Sequence, residues 1–273
     1  MAKPKYNTAL SPSPADEWDS ALYLQFEAER TQPARDLLSH LDGQPRRIVD
    51  LGCGPGTSTQ LIAERFPAAE VVGVDNSAAM LAEARRRLPN ARFERADIVD
   101  WAPAEAPDVI FANDSLQWLP DHEQLFARLI NCLAPGGALA VQMPDTRNEP
   151  SHAVMRLIAV DGPWIDRLTP IAKTHTVIAT YVDYLCWLKR HCLEVDIWQT
   201  TYLHLMRGVD PIVDWFRGAA LRPFLYPLAR EERTQFVERF KRELADAYET
   251  GPDGALLFLY PRLFIHARKT AAR

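Results

Sequence analysis

Val49-Asp50-Leu51-Gly52-Cys53-Gly54-Pro55-Gly56-Thr57 is the stretch on which the fold of this 273-residue chain turns. An apolar run ends at Leu51 and three glycines follow at alternate positions, so a strand stops there and the backbone turns sharply. Positions without a Cβ also let a ligand approach the main chain. Spacing decides which ligands drop out. A dinucleotide fingerprint requires Gly-x-Gly-x-x-Gly, whereas here Thr57 holds the sixth position and the third glycine arrives one residue early, at Gly56. Pro55 removes an amide donor from the loop. No Gly-Lys-Ser/Thr follows, which excludes a nucleoside-triphosphate loop.

Outward from this loop, hydrophobic periodicity predicts strands over residues 47–51, 70–74, 92–95, 109–113 and 138–143, with helices over 57–65, 78–88 and 122–133. Strands alternating with amphipathic helices imply parallel pairing through crossovers, and hence a doubly wound α/β sheet. Upstream, residues 1–16 form a Pro-, Ser- and Lys-rich lead-in expected to be flexible, and two short helices are expected over 17–42, ending at Asp42-Gly43. Beyond Pro144 the rhythm changes. Residues 145–175 read as irregular and helix-leaning, 177–190 as a helix, 194–206 as a long strand, 210–248 as helical and aromatic, and 255–268 as a closing strand. Segments at about 145–176 and 208–254 are therefore expected to form a helical cap inserted between late strands. A cap is expected over the carboxyl ends of the sheet, where open α/β sheets bind ligands.

Composition narrows the function class. Lys and Arg total 31 against 36 Asp and Glu, a formal net charge of -5, which argues against nucleic acid or an anionic membrane as partner. The first residues lack the apolar core of a secretory signal and no segment approaches a membrane span, so the cytosol is expected. Cys53, Cys132, Cys186 and Cys192 are scattered, with no zinc spacing, and are expected to be free thiols with no metal site. Cys53 is expected to pack rather than react, because no activating base is in evidence in its neighbourhood.

The run VDLGCGPGTST resembles motif I of the class I S-adenosylmethionine-dependent methyltransferases, in which an acid precedes a Gly-x-Gly-x-Gly loop around the methionine part of the cofactor. The resemblance implies a Rossmann-like seven-stranded sheet over one domain, 17–273, with S-adenosylmethionine as cofactor. It assigns Asp50, Gly52, Gly54 and Gly56 to the loop. Asp75, nineteen residues past Gly56 with Asn76 beside it, takes the ribose hydroxyls. Met80 is placed under the adenine, and Asp97 and Ile98 at the adenine edge, with Asp100 able to replace Asp97. Asn113, in FANDSLQWLP, stands where the family faces the transferable methyl, and Pro135-Gly136-Gly137 matches the turn before the fifth strand.

The acceptor is read from what is missing. No metal-ligating acidic pair follows strand four, and no Asn/Asp-Pro-Pro-Tyr motif of a nucleic-acid enzyme is present. A carboxylate acceptor is ionised at neutral pH and requires no general base, only cations to hold it. The segments WDSALYLQFEAERTQPARDLL, SLQWLPDH, LAVQMPD, EVDIWQTTYLHLM, LRPFL and PRLFIHAR are similar to the trans-aconitate 2-methyltransferases from Trp18 onward, least so over 145–180. That similarity implies methyl-ester formation on a small tricarboxylate, with no protein partner. A planar tri-anion calls for convergent donors. The candidates are Tyr23, Arg30, Gln117, Trp118, His175, Trp198, Tyr202, His204, Arg222 and Arg262, with Arg207 also within reach; Tyr202 and His204 share a strand face, and Arg30 could instead hold the cofactor's carboxylate. Trp215, Phe216, Phe224 and Tyr226 are expected in the cap core. Two alternatives remain open at this level: a carboxyl methyltransferase for another small or carrier-bound acid, and a non-catalytic S-adenosylmethionine sensor.

Overall fold

A computed structural model of the chain describes residues 26–174, 178–218 and 220–271. Strands β1 (Arg47–Leu51), β2 (Glu70–Asp75), β3 (Arg92–Arg95), β4 (Val109–Asn113), β5 (Ala138–Pro144), β6 (Cys192–Arg207) and β7 (Ala255–Lys269) form one seven-stranded sheet. Their order is β3-β2-β1-β4-β5-β7-β6. The first five pair in parallel, as expected of a doubly wound fold. β7 runs antiparallel to β5, with Ala138 opposite Arg268 and Pro144 opposite Arg262.

The chain divides into two compact units. Among the described residues, one comprises 28–147, 178–202 and 259–271, and the other 26–27, 148–174, 203–218 and 220–258. In the first, successive side chains alternate across the sheet, so each strand feeds two cores. Ile48, Phe111, Ala140 and Phe264 pack with Leu37 of α1 (Glu27–Ser39) and Leu61 and Ile62 of α2 (Thr57–Arg65). On the other face Val49, Leu51, Ile110 and Val141 pack with Phe126 of α4 (His122–Cys132) and Tyr184 of α7 (Tyr181–Leu188), and α3 (Ala78–Arg87) connects β2 to β3. Both faces being covered explains why these strands read as nearly unbroken apolar runs. Each fully buried Leu or Phe contributes about 1.5–3 kcal/mol.

The second unit contains α5 (Pro150–Ala159), α6 (Ile165–Thr174), α8 (Asp210–Arg217), α9 (Arg222–Leu225) and α10 (Arg230–Ala247). Its core is aromatic: Trp164 packs on Phe236 at 5.2 Å, and Phe216 meets Phe240 and Phe258 edge to face. Trp215, Phe216 and Phe224 are buried as expected, whereas Tyr226, with a hydroxyl that favours water, is 36% exposed.

Several boundaries differ from the periodicity reading. Residues 145–175 are more regular than expected, since Pro150 opens α5 and Gly162-Pro163 separates it from α6. α7 starts at Tyr181 instead of 177, because Thr180 and Asp183 cap it reciprocally: Asp183 N–H donates to Thr180 Oγ1 at 3.2 Å and Thr180 N–H to Asp183 Oδ2 at 3.0 Å. Of the two N-terminal helices expected, the second is α1 and the first lies outside the described residues. All four cysteines are free thiols. Among the described residues no helix is long and apolar enough to cross a membrane.

Candidate functional site

The glycine loop joins β1 to α2. Gly52 and Cys53 N–H both donate to Val74 O, at 2.8 and 3.0 Å, and Gly56 N–H donates to Cys53 O at 3.0 Å, which closes the turn. Gly52 (φ 74°) and Gly54 (φ 52°) occupy the left-handed region, for different reasons. A Cβ on Gly52 would fall 2.3 Å from Ser115 Cβ, so the β4 loop presses against it. A Cβ on Gly54 would meet nothing within 4 Å, so the backbone there is open to a ligand. Cys53 is buried and packs under Gly73, and burial pushes its thiol up, away from reactivity.

Two carboxylates flank the loop. Asp75 accepts Gly54 N–H on Oδ2 at 3.0 Å and Ser77 N–H on Oδ1 at 2.8 Å, so it shapes the loop while keeping lone pairs for further donors. Burial raises its pKa against the lowering effect of those amides. Asp50 is fully buried. Its Oδ2 accepts the hydroxyls of Ser58 and Thr59 at 2.7 and 2.6 Å, while Oδ1 has no hydrogen-bond partner among the described residues. Burial raises its pKa to about 6. An ionised, half-satisfied buried carboxylate is costly unless a ligand brings a donor.

This gives a prediction for the protein without ligand. With the folded pKa near 6 and the ordinary value 3.8, the folded state binds more protons between those values, so Asp50 destabilises the fold as pH rises through them. Asp50→Asn removes that dependence. The stability of the variant relative to the parent is expected to rise by about 2–3 kcal/mol between about pH 4 and about pH 8, whatever constant amount the amide costs. Urea unfolding at the two pH values measures it, and a difference independent of pH would refute the titration of Asp50.

The remaining candidate cofactor residues lie at or beyond the ends of β2, β3 and β4. Asn76 is exposed and its carbonyl accepts Arg95 Nε–H at 3.1 Å; Met80 is half-buried, with its amide on Ser77 Oγ at 3.3 Å. Asp97 is exposed and caps its own turn through Val99 N–H at 2.9 Å. Arg128 of α4, absent from the sequence reading, donates to the carbonyls of Ile98 and Trp101 and so anchors that turn. Asn113 ends β4, its buried Oδ1 without a partner among the described residues.

The candidate acid ligands fare unequally. Arg262 is 1% exposed; its Nη1 lies 3.4 Å from Asp114 Oδ1 and 3.4 Å from Gln142 Oε1, and its guanidinium lies over the Tyr260 ring at 4.6 Å. Asp114 is held in the left-handed region at φ 55° and accepts Gln117 Nε2–H at 2.8 Å. Asp114 thus holds a left-handed backbone beside a buried cation at the strand ends. Arg30 is buried on α1, and Trp118 is 49% exposed. Trp198 stacks between His40 (4.1 Å) and Phe264 (5.0 Å), so its ring is engaged in packing. Tyr202 donates its hydroxyl to Asp36, whose carboxylate, after burial, raises the Tyr202 pKa further. His204 and Arg222 belong to the second unit, His204 against Trp215 and Phe258, while Tyr23 and His175 lie outside the described residues. Arg207, the further cation considered, is exposed at the end of β6. Among the described residues no group of three His, Cys, Asp or Glu could hold a metal ion.

The profile of a methyltransferase domain matches residues 48–137, the span from β1 to the turn before β5. A trans-aconitate 2-methyltransferase from Methylobacterium nodulans is 51% identical over 93% of this chain and 99% of its own length. The chain belongs to the trans-aconitate 2-methyltransferase family. An Acidovorax ebreus member is 50% identical over 93% of this chain and 98% of its own. Among solved structures, the YcgJ protein of Bacillus subtilis superposes with a TM-score of 0.58 at 12% identity, covering 88% of this chain and 98% of that one. At that identity the likeness shows the fold alone.

Proposed function

We propose that this protein transfers a methyl group from S-adenosylmethionine to one carboxylate of trans-aconitate, forming the monomethyl ester. The observation that carries the reading is family membership over nearly the whole chain, and the sheet's geometry agrees with it. The residues fit the cofactor. Asp50 Oδ1 is a buried acceptor suited to an ammonium, Gly54 offers open backbone, and Asp75 keeps acceptor capacity for vicinal hydroxyls. Bound S-adenosylmethionine supplies an electrophilic methyl group on a sulfonium. The acceptor carboxylate is already ionised, so the protein's part is placement and charge management. In this reading Arg262, buried at the strand ends, holds the acid by a charge-assisted hydrogen bond, and Asn113, which ends β4, is assigned to the cofactor.

Mass spectrometry of a mixed panel of di- and tricarboxylates incubated with enzyme and labelled S-adenosylmethionine tests this. A labelled monomethyl ester of trans-aconitate, formed faster than any other ester, is expected. Label in another acid only, or in none, overturns the assignment.

A further inference from the structure

Arg262 and Gln142 sit on one sheet face, on paired strands: Pro144 is opposite Arg262, and Gln142 is opposite Phe264 on one side and Asn113 on the other. Both side chains are almost fully buried, Gln142 at 0% exposure and Arg262 at 1%. Polar groups buried so deeply are ordinarily satisfied. Here two donors, Arg262 Nε and Gln142 Nε2, have no hydrogen-bond partner among the described residues. The guanidinium is nevertheless located, because its Nη1 is approached from two sides, by Asp114 Oδ1 and Gln142 Oε1, each at 3.4 Å. Contrast a structural ion pair in the same unit: Arg147 grips Asp145 through Nε and Nη2, both at 2.8 Å, and leaves the Nε edge occupied. The Arg262 arrangement holds the cation loosely at Nη1 and keeps its Nε edge unspent, while the Gln142 amide, whose Oε1 lies 3.4 Å from that Nη1, carries a second unspent donor.

We propose that Gln142 is a substrate-binding residue: its Nε2 and Arg262 Nε together form a two-donor seat for one carboxylate of the acid, with Asp114 as the positioning residue that holds Nη1. The inference rests on the carboxylate-methylating reading above. The chemistry is specific. Two N–H donors call for an acceptor-only partner, and the guanidinium charge favours an anion over a neutral amide or alcohol. Gln142 adds a donor without adding charge, so it recognises the shape of a carboxylate while Arg262 supplies the attraction.

Calorimetric titration of trans-aconitate into protein saturated with S-adenosylhomocysteine, for the parent, Gln142→Met and Gln142→Glu, tests the seat, with thermal unfolding recorded for each. Gln142→Met keeps the volume and removes the donor; acid affinity is expected to fall at least tenfold, with affinity for S-adenosylhomocysteine within twofold of the parent. Gln142→Glu places a competing carboxylate beside Arg262, and acid binding is expected to vanish. Steady-state kinetics of the folded variants should show the acid KM rising more than kcat falls. A folded variant that binds the acid like the parent overturns the proposal, as does a parent that binds no acid. Ester formation by the parent with an unchanged acid KM in Gln142→Met would sink the seat and leave the enzymatic reading standing.

Discussion

Gly52→Ala is expected to lower the unfolding midpoint by on the order of 10 °C and to abolish cofactor binding, while Gly54→Ala keeps the fold and loses cofactor affinity. The two glycines share a loop and a left-handed backbone, so the strain of a Cβ, about 1–2 kcal/mol, is common to both. They differ in surroundings. At position 52 the new methyl would fall 2.3 Å from Ser115 Cβ and 2.9 Å from Ser115 Oγ, the atom that donates to Leu51 O at 2.8 Å. Relief requires moving the β4 loop or breaking that bond, an overpacking cost of about 1–3 kcal/mol more. The sum, about 2–5 kcal/mol, corresponds to the stated shift for a chain of this size. At position 54 the methyl meets nothing within 4 Å, so that strain of about 1–2 kcal/mol is the whole structural cost. It projects where a ligand would lie against the main chain, and the dissociation constant for S-adenosylmethionine should rise at least tenfold. Differential scanning calorimetry and calorimetric titration separate the two effects. Normal cofactor binding by Gly54→Ala would mean the cofactor does not touch the backbone there.

These glycines were legible because their signal is local: a strand end, a turn and a helix start lie within one short run, and Asp50 and Asp75 are fixed by the same strands. The order of the late strands was not. β7 inserts between β5 and β6, antiparallel, after a long helical excursion, and no periodicity in a strand records its neighbours. Trp198 shows the same limit: strand alternation assigns it a face but not the ring partners, His40 and Phe264, that occupy it. Tyr202 finds its acceptor, Asp36, 166 residues away. Gln142 was passed over because LAVQMPD reads as a buried apolar strand with one interruption. The usable signal was that interruption itself, since a polar side chain in a strand covered on both faces requires a partner.

Arg262→Met is expected to leave stability within about 1 kcal/mol of the parent, or to raise it, while kcat/KM for the acid falls at least tenfold. Removing one member of a buried ion pair usually destabilises strongly, because the other charge is stranded. Asp114 escapes that fate: its side chain is 23% exposed and its Oδ1 keeps the Gln117 Nε2–H bond at 2.8 Å. Replacing a fully buried guanidinium, with its Nε unpartnered among the described residues, by an apolar chain of similar length then removes a desolvation cost. Catalysis has no such compensation. Each charge-assisted hydrogen bond to the acid is worth about 1.5–3 kcal/mol, and losing one or two gives the expected factor of ten or more. Arg262→Lys should recover only part of it, since an ammonium cannot present the planar Nε edge beside Gln142. The pair of measurements is diagnostic. A loss of stability matching the loss of activity would make Arg262 a structural ion pair, whereas activity lost from an unimpaired fold, with unchanged affinity for S-adenosylmethionine, assigns its charge to the acid.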